Sequence, residues 1–420
     1  MRPVNRQELI DTAMGRVPAD LVVIGGNFVD VNTREIYPAD VAIKGSRIAC
    51  VGDVEHAIGR STHIIDAKGQ YLIPGLMDAH FHIESSHLTI TELSKILLPR
   101  GVTAIMWDPH EIANVLGVKG IEIFLEEAKE VPLRVYLRVP GQVPGCIGYE
   151  TAAAEFGMKE TKILLDRPEA IALAGDVNPN LVLMKSSDGG LHLRKVDFAL
   201  SKNFCVDGQA PYYLSDKEMN AFACAGKMDS HVSRSVGEVM RLLRLGLRAI
   251  LQPRAFTKDD FKELARMAKE QNLDLRHVLL CIDDKMPHYM IKEGSVDYNV
   301  RLAIQGGIDP VTAIQMATIN IAEHFHLAND LGSLTPGKYA DIVLLDSLED
   351  LAVDKVIVDG SLVAEKGKLL VELEPFRFPD WAKETIHVKD RVKREDFEIR
   401  VGIKNCLLYT SDAADEGLGV

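Results

Sequence analysis

From about residue 71 to about residue 328 the chain repeats one pattern, a short apolar run ending in polar residues and then, in several cases, a longer stretch of helical periodicity. The runs are "LIPGLMDAHFH", "VTAIMWDP", "LRVYLRVP", "AIALAGDV", "NFCVDGQ", "KMDSHV", "LRAILQP" and "HVLLCIDD", eight in all. Stretches such as "SVGEVMRLLRLG" and "DDFKELARMAKEQN" carry apolar residues at helical spacing between them. Strands joined by helical crossovers run parallel and are covered on both faces. Eight such units in about 250 residues predict an α/β fold of the (β/α)8 TIM-barrel type. The sequence has neither a Gly-rich dinucleotide fingerprint nor a G-x-x-x-x-G-K-[ST] phosphate loop, which counts against an open doubly wound sheet.

The flanks have a different texture. Between Asp20 and Gln70, "DLVVIGGNFVDV", "DVAIKGSRIACVG" and "HIIDAKGQ" are short β-type runs broken by turn residues. After "DPVTAIQMATINIAEHF", where Asp309-Pro310 marks a helix start, the same texture returns in "GSLTPGKYADIVLLDS" and "VDKVIVDGSLVAEKGKLL". The likeness of the two flanks predicts one small composite β-sandwich made from residues 1–70 and 329–404, with the barrel over 71–328. The last residues, 405–420, continue no pattern, and "CLLYTSDAADE" resembles read-through of sequencing-adapter DNA, so they are set apart from fold reasoning as a non-native tail.

A chain of 420 residues exceeds what one hydrophobic core usually serves, in keeping with a large domain plus a smaller one. The net charge of −13 argues against nucleic-acid and anionic-membrane partners, which select clustered Lys and Arg. A small molecule is the expected ligand. Six cysteines without a C-x-x-C pair, an N-terminus without an apolar h-region and no run long enough to span a bilayer lead us to expect a soluble cytoplasmic protein with reduced thiols.

Candidate chemistry starts at "DAHFHIESS". His80 and His82, at i and i+2 of a strand, face the same way at the barrel end where active sites are built. Neutral imidazole suits Zn²⁺, Fe²⁺ or Mn²⁺. An H-x-H pair alone is weak, but Asp176, His231, Asp283 and Asp284 end later strands of the same barrel. Each also has a structural alternative: a turn cap for Asp176, a satisfied buried imidazole for His231, a helix cap for the Asp pair. Their shared position at strand ends favours a site for one or two divalent ions. Such an ion lowers the pKa of bound water from about 15.7 towards ~7, and Asp283 is the candidate base that moves its proton. The chemistry expected is metal-assisted hydrolysis of a polarised C–N bond.

"WDPHEIANVLG" adds His110 and Glu111, candidates for substrate contact. The same residues also have capping-box spacing, with Asp108 as the cap, Pro109 at the first helical position and Glu111 three residues on. Glu84 is open between proton transfer, orientation of a ligand histidine and simple solvation.

"LIPGLMDAHFHIESS", "WDPHEIANVLG", "LLCIDD" and "MATINIAEHFHL" with "DLGSLTPGKYADIVLLD" resemble the adenine deaminase family of the amidohydrolase superfamily, over roughly Asp20 to Arg400. The resemblance implies a barrel with a composite β-sandwich, a metal centre, and hydrolysis of adenine to hypoxanthine and ammonia. It matches His80 and His82 to first-strand ligands, His231 to the sixth-strand histidine and Asp283 to the eighth-strand aspartate.

Four positions depart from that pattern. Asp176 in "AGD" stands where the family has Glu, Gln209 in "VDGQAP" where it has a metal-binding His, Val232 in "DSHV" where it has a carboxylate, and Ile282 where it has Thr. Gln offers a metal only an amide oxygen, so Gln209 is expected to bond substrate and one tightly held ion is favoured over two. Members of the family extend well beyond a region like "DRVKREDFEIR", so a further C-terminal part is expected. Two alternatives stand beside adenine deamination: hydrolysis of another cyclic amide or amidine, and a catalytically impaired paralogue that binds a purine. Barrels of this size often associate, so a homo-oligomer is admitted, though the sequence marks no interface.

Overall fold

The first parallel strands, mostly apolar, come out buried along their whole length, as parallel strands covered on both faces must be. Both β6 (Leu76–Phe81) and β7 (Val102–Trp107) are buried at every residue. The computed structural model describes residues 5–145, 151–175, 183, 187–385 and 391–397. The chain divides into two compact units, Met1–Phe378 and Pro379–Val420. In the second, two short 3-10 helices are described, Asp380–Ala382 and Arg394–Phe397.

In the first unit, β1 (Leu21–Asp30), β2 (Glu35–Lys44), β3 (Arg47–Gly52), β4 (His63–Asp66) and β5 (Tyr71–Pro74) precede the parallel strands. These are β6, β7, β8 (Arg134–Val139), β9 (Ala170–Leu173), β10 (Cys205–Val206), β11 (Asp229–Ser230), β12 (Arg248–Leu251) and β13 (Val278–Leu280). After them come β14 (Ile342–Leu345), β15 (Val353–Val358), β16 (Ser361–Glu365) and β17 (Lys368–Leu369).

The flanking strands form a single nine-stranded sheet in the order β17-β16-β15-β14-β5-β1-β2-β3, with β4 also paired to β1. The two ends of the chain meet where β5 lies parallel to β1 and antiparallel to β14, with Pro74 opposite Ile342 and Ile73 opposite Val343. One apolar core joins Val23, Val41, Ile43 and Leu72 from the first flank to Leu334, Ile342, Leu344 and Ile357 from the second.

The parallel strands form a five-stranded sheet, β6 to β10 in sequence order, and a three-stranded sheet, β11 to β13. Backbone bonds link their outer strands: Met228 N donates to Val206 O at 2.8 Å, and Asp283 N donates to His80 O at 3.0 Å. Strand alternation sorts the apolar side chains onto two faces. Ala104, Met106, Ile250, Leu279 and Cys281 share one cluster, and their neighbours Ile105, Trp107, Leu251, Val278 and Leu280 belong to the other. Helices between strands start on side-chain caps, as at Ser235, whose hydroxyl accepts from Glu238 N, and Thr257, whose hydroxyl accepts from Asp260 N.

Three local expectations are corrected. "LIPGLMDAHFH" reads as one strand but is divided between two, because Gly75 separates β5 from β6 at a point where a Cβ would overlap the Thr103 side chain. The helix expected to be capped by Asp108 spans His110–Ala128, with Pro109 at the cap position and no side-chain cap bond. Asp108 N is instead spent on Phe81 O (3.0 Å), which keeps that residue in strand-like pairing with β6. "DPVTAIQMATINIAEHF" is two helices, Pro310–Met316 and Ile319–His324, broken at Thr318, whose φ of −140° and ψ of −96° are not helical.

Among the described residues no helix is long and apolar enough to cross a membrane. Cys50, Cys205, Cys224 and Cys281 are outside any disulfide.

Candidate metal centre

The end of β6 and the segment after β13 bring three of the expected donors together. His80 Nε2 lies 2.8 Å from His82 Nε2, and His82 Nε2 lies 3.8 Å from Asp283 Oδ1. One ligand atom from each of the three falls within 4.8 Å of the others. Asp283 holds its place in a left-handed backbone conformation (φ 61°), which a short polar side chain tolerates better than most. Two backbone bonds fix it there: its N–H donates to His80 O at 3.0 Å and its carbonyl accepts from His82 N at 3.4 Å. Asp78 adds a second tie by accepting from Ile282 N at 3.1 Å and His80 N at 3.2 Å.

The donors fit a divalent transition metal. His82 Nδ1 faces the Asp108 carbonyl oxygen at 3.0 Å, so its proton belongs there and the Nε2 lone pair is turned towards His80 and Asp283. Two imidazoles and a carboxylate suit zinc, iron or manganese.

The other expected residues surround this cluster. The His231 ring stacks on His80 (centroids 3.9 Å apart, 27° between planes) and lies outside the three-donor group. Gln209 Nε2 is 3.4 Å from His231 Nε2. Glu111 Oε2 lies 3.3 Å from His82 Nδ1, and the His110 ring meets His82 edge-on at 5.0 Å. Together His82, His110 and Glu111 form a second group of donor atoms able to hold an ion. Asp176 lies outside the described residues.

A pocket of about 770 Å³ opens beside the cluster, lined by Glu84, Ser85, Glu111, Arg254, Ile282, Asp284, Tyr289 and Tyr298 among others. That volume is within the range of small-molecule sites. Glu84 accepts from Trp107 Nε1 at 3.0 Å and Ile112 N at 3.2 Å. Burial, with Glu111 nearby, pushes its carboxyl up to about 7. Burial also acts to raise Asp284, but the Ser85 hydroxyl (2.5 Å), His82 and Arg254 (3.0 Å) outweigh it and hold that carboxyl below the usual range.

A model of the amidohydrolase family matches residues 71–172 and 182–363. The chain belongs to the amidohydrolase family. It is similar to the adenine deaminase of Moorella thermoacetica, 39% identical over 393 residues that cover 94% of this chain and 65% of the relative. The adenine deaminase of Rubrobacter xylanophilus is 38% identical over 399 residues, with the same two coverages of 94% and 65%. The chain thus spans about 65% of the length of these curated relatives. Its fold is similar to that of a β-aspartyl dipeptidase from Fervidobacterium islandicum, with a TM-score of 0.62 and 16% identity over 86% of this chain and 98% of that one. A zinc-bound adenosine deaminase from Xanthomonas campestris gives a TM-score of 0.57 at 14% identity, over 84% of this chain and 94% of that one.

Beneath the three donors the chain carries a polar floor that its sequence patterns did not mark. Arg138, on β8, is fully buried, with Nε donating to Asp207 Oδ2 at 2.6 Å and Nη1 donating to His80 Nδ1. His324 Nε2 lies 2.7 Å from Asp229 Oδ2, and Gly208 N donates to Asp229 Oδ1 at 3.1 Å. Burial pushes His324 down to about 3, so the imidazole is neutral at ordinary pH. Burial pushes Asp207 up to about 7 against the pull of Arg138.

Proposed function

We propose that this amidohydrolase hydrolyses adenine to hypoxanthine and ammonia at a divalent metal centre held by His80, His82 and Asp283, with Asp176 and His231 completing it. The observation that carries this reading is the convergence of two imidazoles and a carboxylate beside a pocket, in a chain 39% identical to a named adenine deaminase. When bound, the ion supplies Lewis acidity that makes water nucleophilic near neutral pH.

The chain's own residues do the rest. In the net reaction the water oxygen bonds to the amino-bearing ring carbon and the exocyclic C–N bond breaks. One water proton ends on the departing nitrogen and the other on the purine ring. Asp283 accepts the first proton at Oδ1 or Oδ2, and His231, beside His80, steadies the charge that develops at the reacting carbon. Glu84, held by Trp107 and the backbone of Ile112, can hand a proton to the ring or leaving nitrogen at its carboxyl. His110, Glu111, Gln209 and Asp284 present hydrogen-bonding groups to the substrate, Asp284 being held in place by Ser85 and Arg254.

The same reading takes the eight parallel strands as a closed (β/α)8 barrel over residues 71–328 and the segments 1–70 and 329–404 as a composite β-sandwich, with β5 (Tyr71–Pro74) pairing in the flanking sheet. The links between outer strands and the sheet shared by both flanks support it. A second reading, hydrolysis of another cyclic amide or amidine, draws support from Gln209, whose amide faces His231 where a ligand imidazole is expected.

The test is ammonia release from adenine by protein reconstituted with Mn²⁺, Fe²⁺ or Zn²⁺. Hypoxanthine formation that is lost in His80→Ala supports the deaminase. Metal uptake with no turnover of adenine, but turnover of another cyclic amidine, moves the assignment to the second reading.

A further inference from the structure

The lining of the pocket is of two kinds. Glu84, Glu111 and Asp284 supply carboxylates, and Met286, Tyr289 and Tyr298 supply apolar and aromatic surface. The two tyrosines are not equivalent. The Tyr298 ring already carries the Lys285 ammonium 4.5 Å from its centroid and the Arg301 guanidinium at 5.9 Å. The Tyr289 ring meets His288, with 4.0 Å between centroids and a tilt of 40°, and is still 47% exposed. A ring has two faces, so a neighbour on one side leaves the other for a ligand, and aromatic surface left open in a pocket is where planar ligands gain contact area.

The chain builds a fixed mount for that ring. Pro287 opens the short helix Pro287–Lys292, and Met290 within it is fully buried in the main apolar core. Two guanidiniums hold the far end: Arg100 Nη2 donates to Ile291 O at 2.5 Å, and Arg301 Nη2 donates to Glu293 O. The Lys285 ammonium lies 3.0 Å from Glu293 Oε2, which ties the approach to the helix to its exit. A contact surface held in place before the ligand arrives loses little entropy on binding.

We infer that Tyr289 is a specificity-determining residue of this pocket, its ring stacking on the planar heterocycle of the substrate while the carboxylates meet the heterocycle's edge. A flat purine gains from such a surface, and a saturated cyclic amide does not. The inference rests on the reading of the pocket as the purine site, and it does not depend on which side chains hold the ion.

The test uses Mn²⁺-reconstituted protein and two readouts, the Kd of hypoxanthine by calorimetric titration and the separate kcat and KM for adenine. Tyr289→Ala is expected to weaken hypoxanthine binding and raise the adenine KM by about 5–150-fold, the range for loss of one base–aromatic stack. Stacking acts alike on ground and transition states, so kcat should stay close to wild type. Tyr289→Phe keeps the flat face and should bind as the wild type does, whereas Tyr289→Leu keeps apolar bulk without a flat face and should lose most of the affinity. Wild-type Kd and KM in Tyr289→Ala would overturn the inference. So would wild-type binding in Tyr289→Leu, which carries the test if the alanine variant does not fold. A loss in Tyr289→Phe as large as in Tyr289→Ala would place the effect in the hydroxyl and overturn it as well. If the wild type neither turns over adenine nor binds hypoxanthine, the purine reading and this inference fail together. Adenine turnover that ignores Tyr289 defeats the inference alone.

Discussion

Two groups of side chains that could ligate a metal sit among the parallel strands, one at strand ends and the other completed by His324 from a helix, and they differ in access and in what their polar atoms face. His80, His82 and Asp283 adjoin a pocket whose lining includes Glu84, Glu111 and Asp284. Asp207, Asp229 and His324 are fully buried; Asp207 Oδ2, both Asp229 oxygens and His324 Nε2 face Arg138, Gly208 N–H and each other, while Asp207 Oδ1 and His324 Nδ1 have no hydrogen-bond partner among the described residues. The buried Lys227 adds another cation beside them, and burial lowers its ammonium to about 8 against the pull of Asp207 and Asp229. Histidines and carboxylates within reach of one another are thus not enough to make a site. Access from a pocket separates a candidate centre for chemistry from a polar floor.

The sharpest way to break that contrast is to remove one residue from each group. His80→Ala is expected to abolish adenine turnover, and Glu84→Gln to lower kcat by about 10²–10⁴-fold, the range for loss of a proton-transfer group. Turnover that persists in both would place the chemistry elsewhere. In the floor, Asp207→Ala strands the buried Arg138 charge and should cost about 3–5 kcal/mol in urea unfolding. A loss under about 1 kcal/mol would show that the floor is not held by that pair.

Smaller effects sharpen the comparison. At a hundred times its Kd, a divalent ion should stabilise the wild type by about 2.7 kcal/mol, in His324→Gln by a similar increment, and in the His80→Ala, His82→Ala double variant not at all. Asp309→Ala, which removes the side chain accepting from Thr312 N at 3.0 Å, should cost about 1 kcal/mol and leave metal affinity unchanged. A change in metal affinity there would mean that stability and the centre are coupled through the whole fold.

The sequence made the upper group legible because its signals are local. A strand with histidines at i and i+2 turns both to one side, and an Asp pair closing an apolar run belongs to a strand end. The floor was not legible because Arg138, Asp207, Asp229 and His324 come from four distant segments and meet only when the two parallel sheets are formed. Nothing local distinguishes Arg138 in "LRVYLRVP" from a surface arginine. The repeated strand and helix pattern announced the parallel array, while the split between β5 and β6 was hidden in one apolar run with a single glycine. The capping spacing of "DPHE" was real as a pattern, but Glu111 points at His82 and His110 instead.

The most direct test of the contrast is the metal content of purified protein after equilibrium dialysis against Mn²⁺ or Zn²⁺, compared across the wild type, the His80→Ala, His82→Ala double variant and His324→Gln. The expected result is metal retained by the wild type and by His324→Gln and lost from the double variant. Metal retained by the double variant but lost from His324→Gln would contradict it, and would make the buried group of Asp207, Asp229 and His324 the true centre.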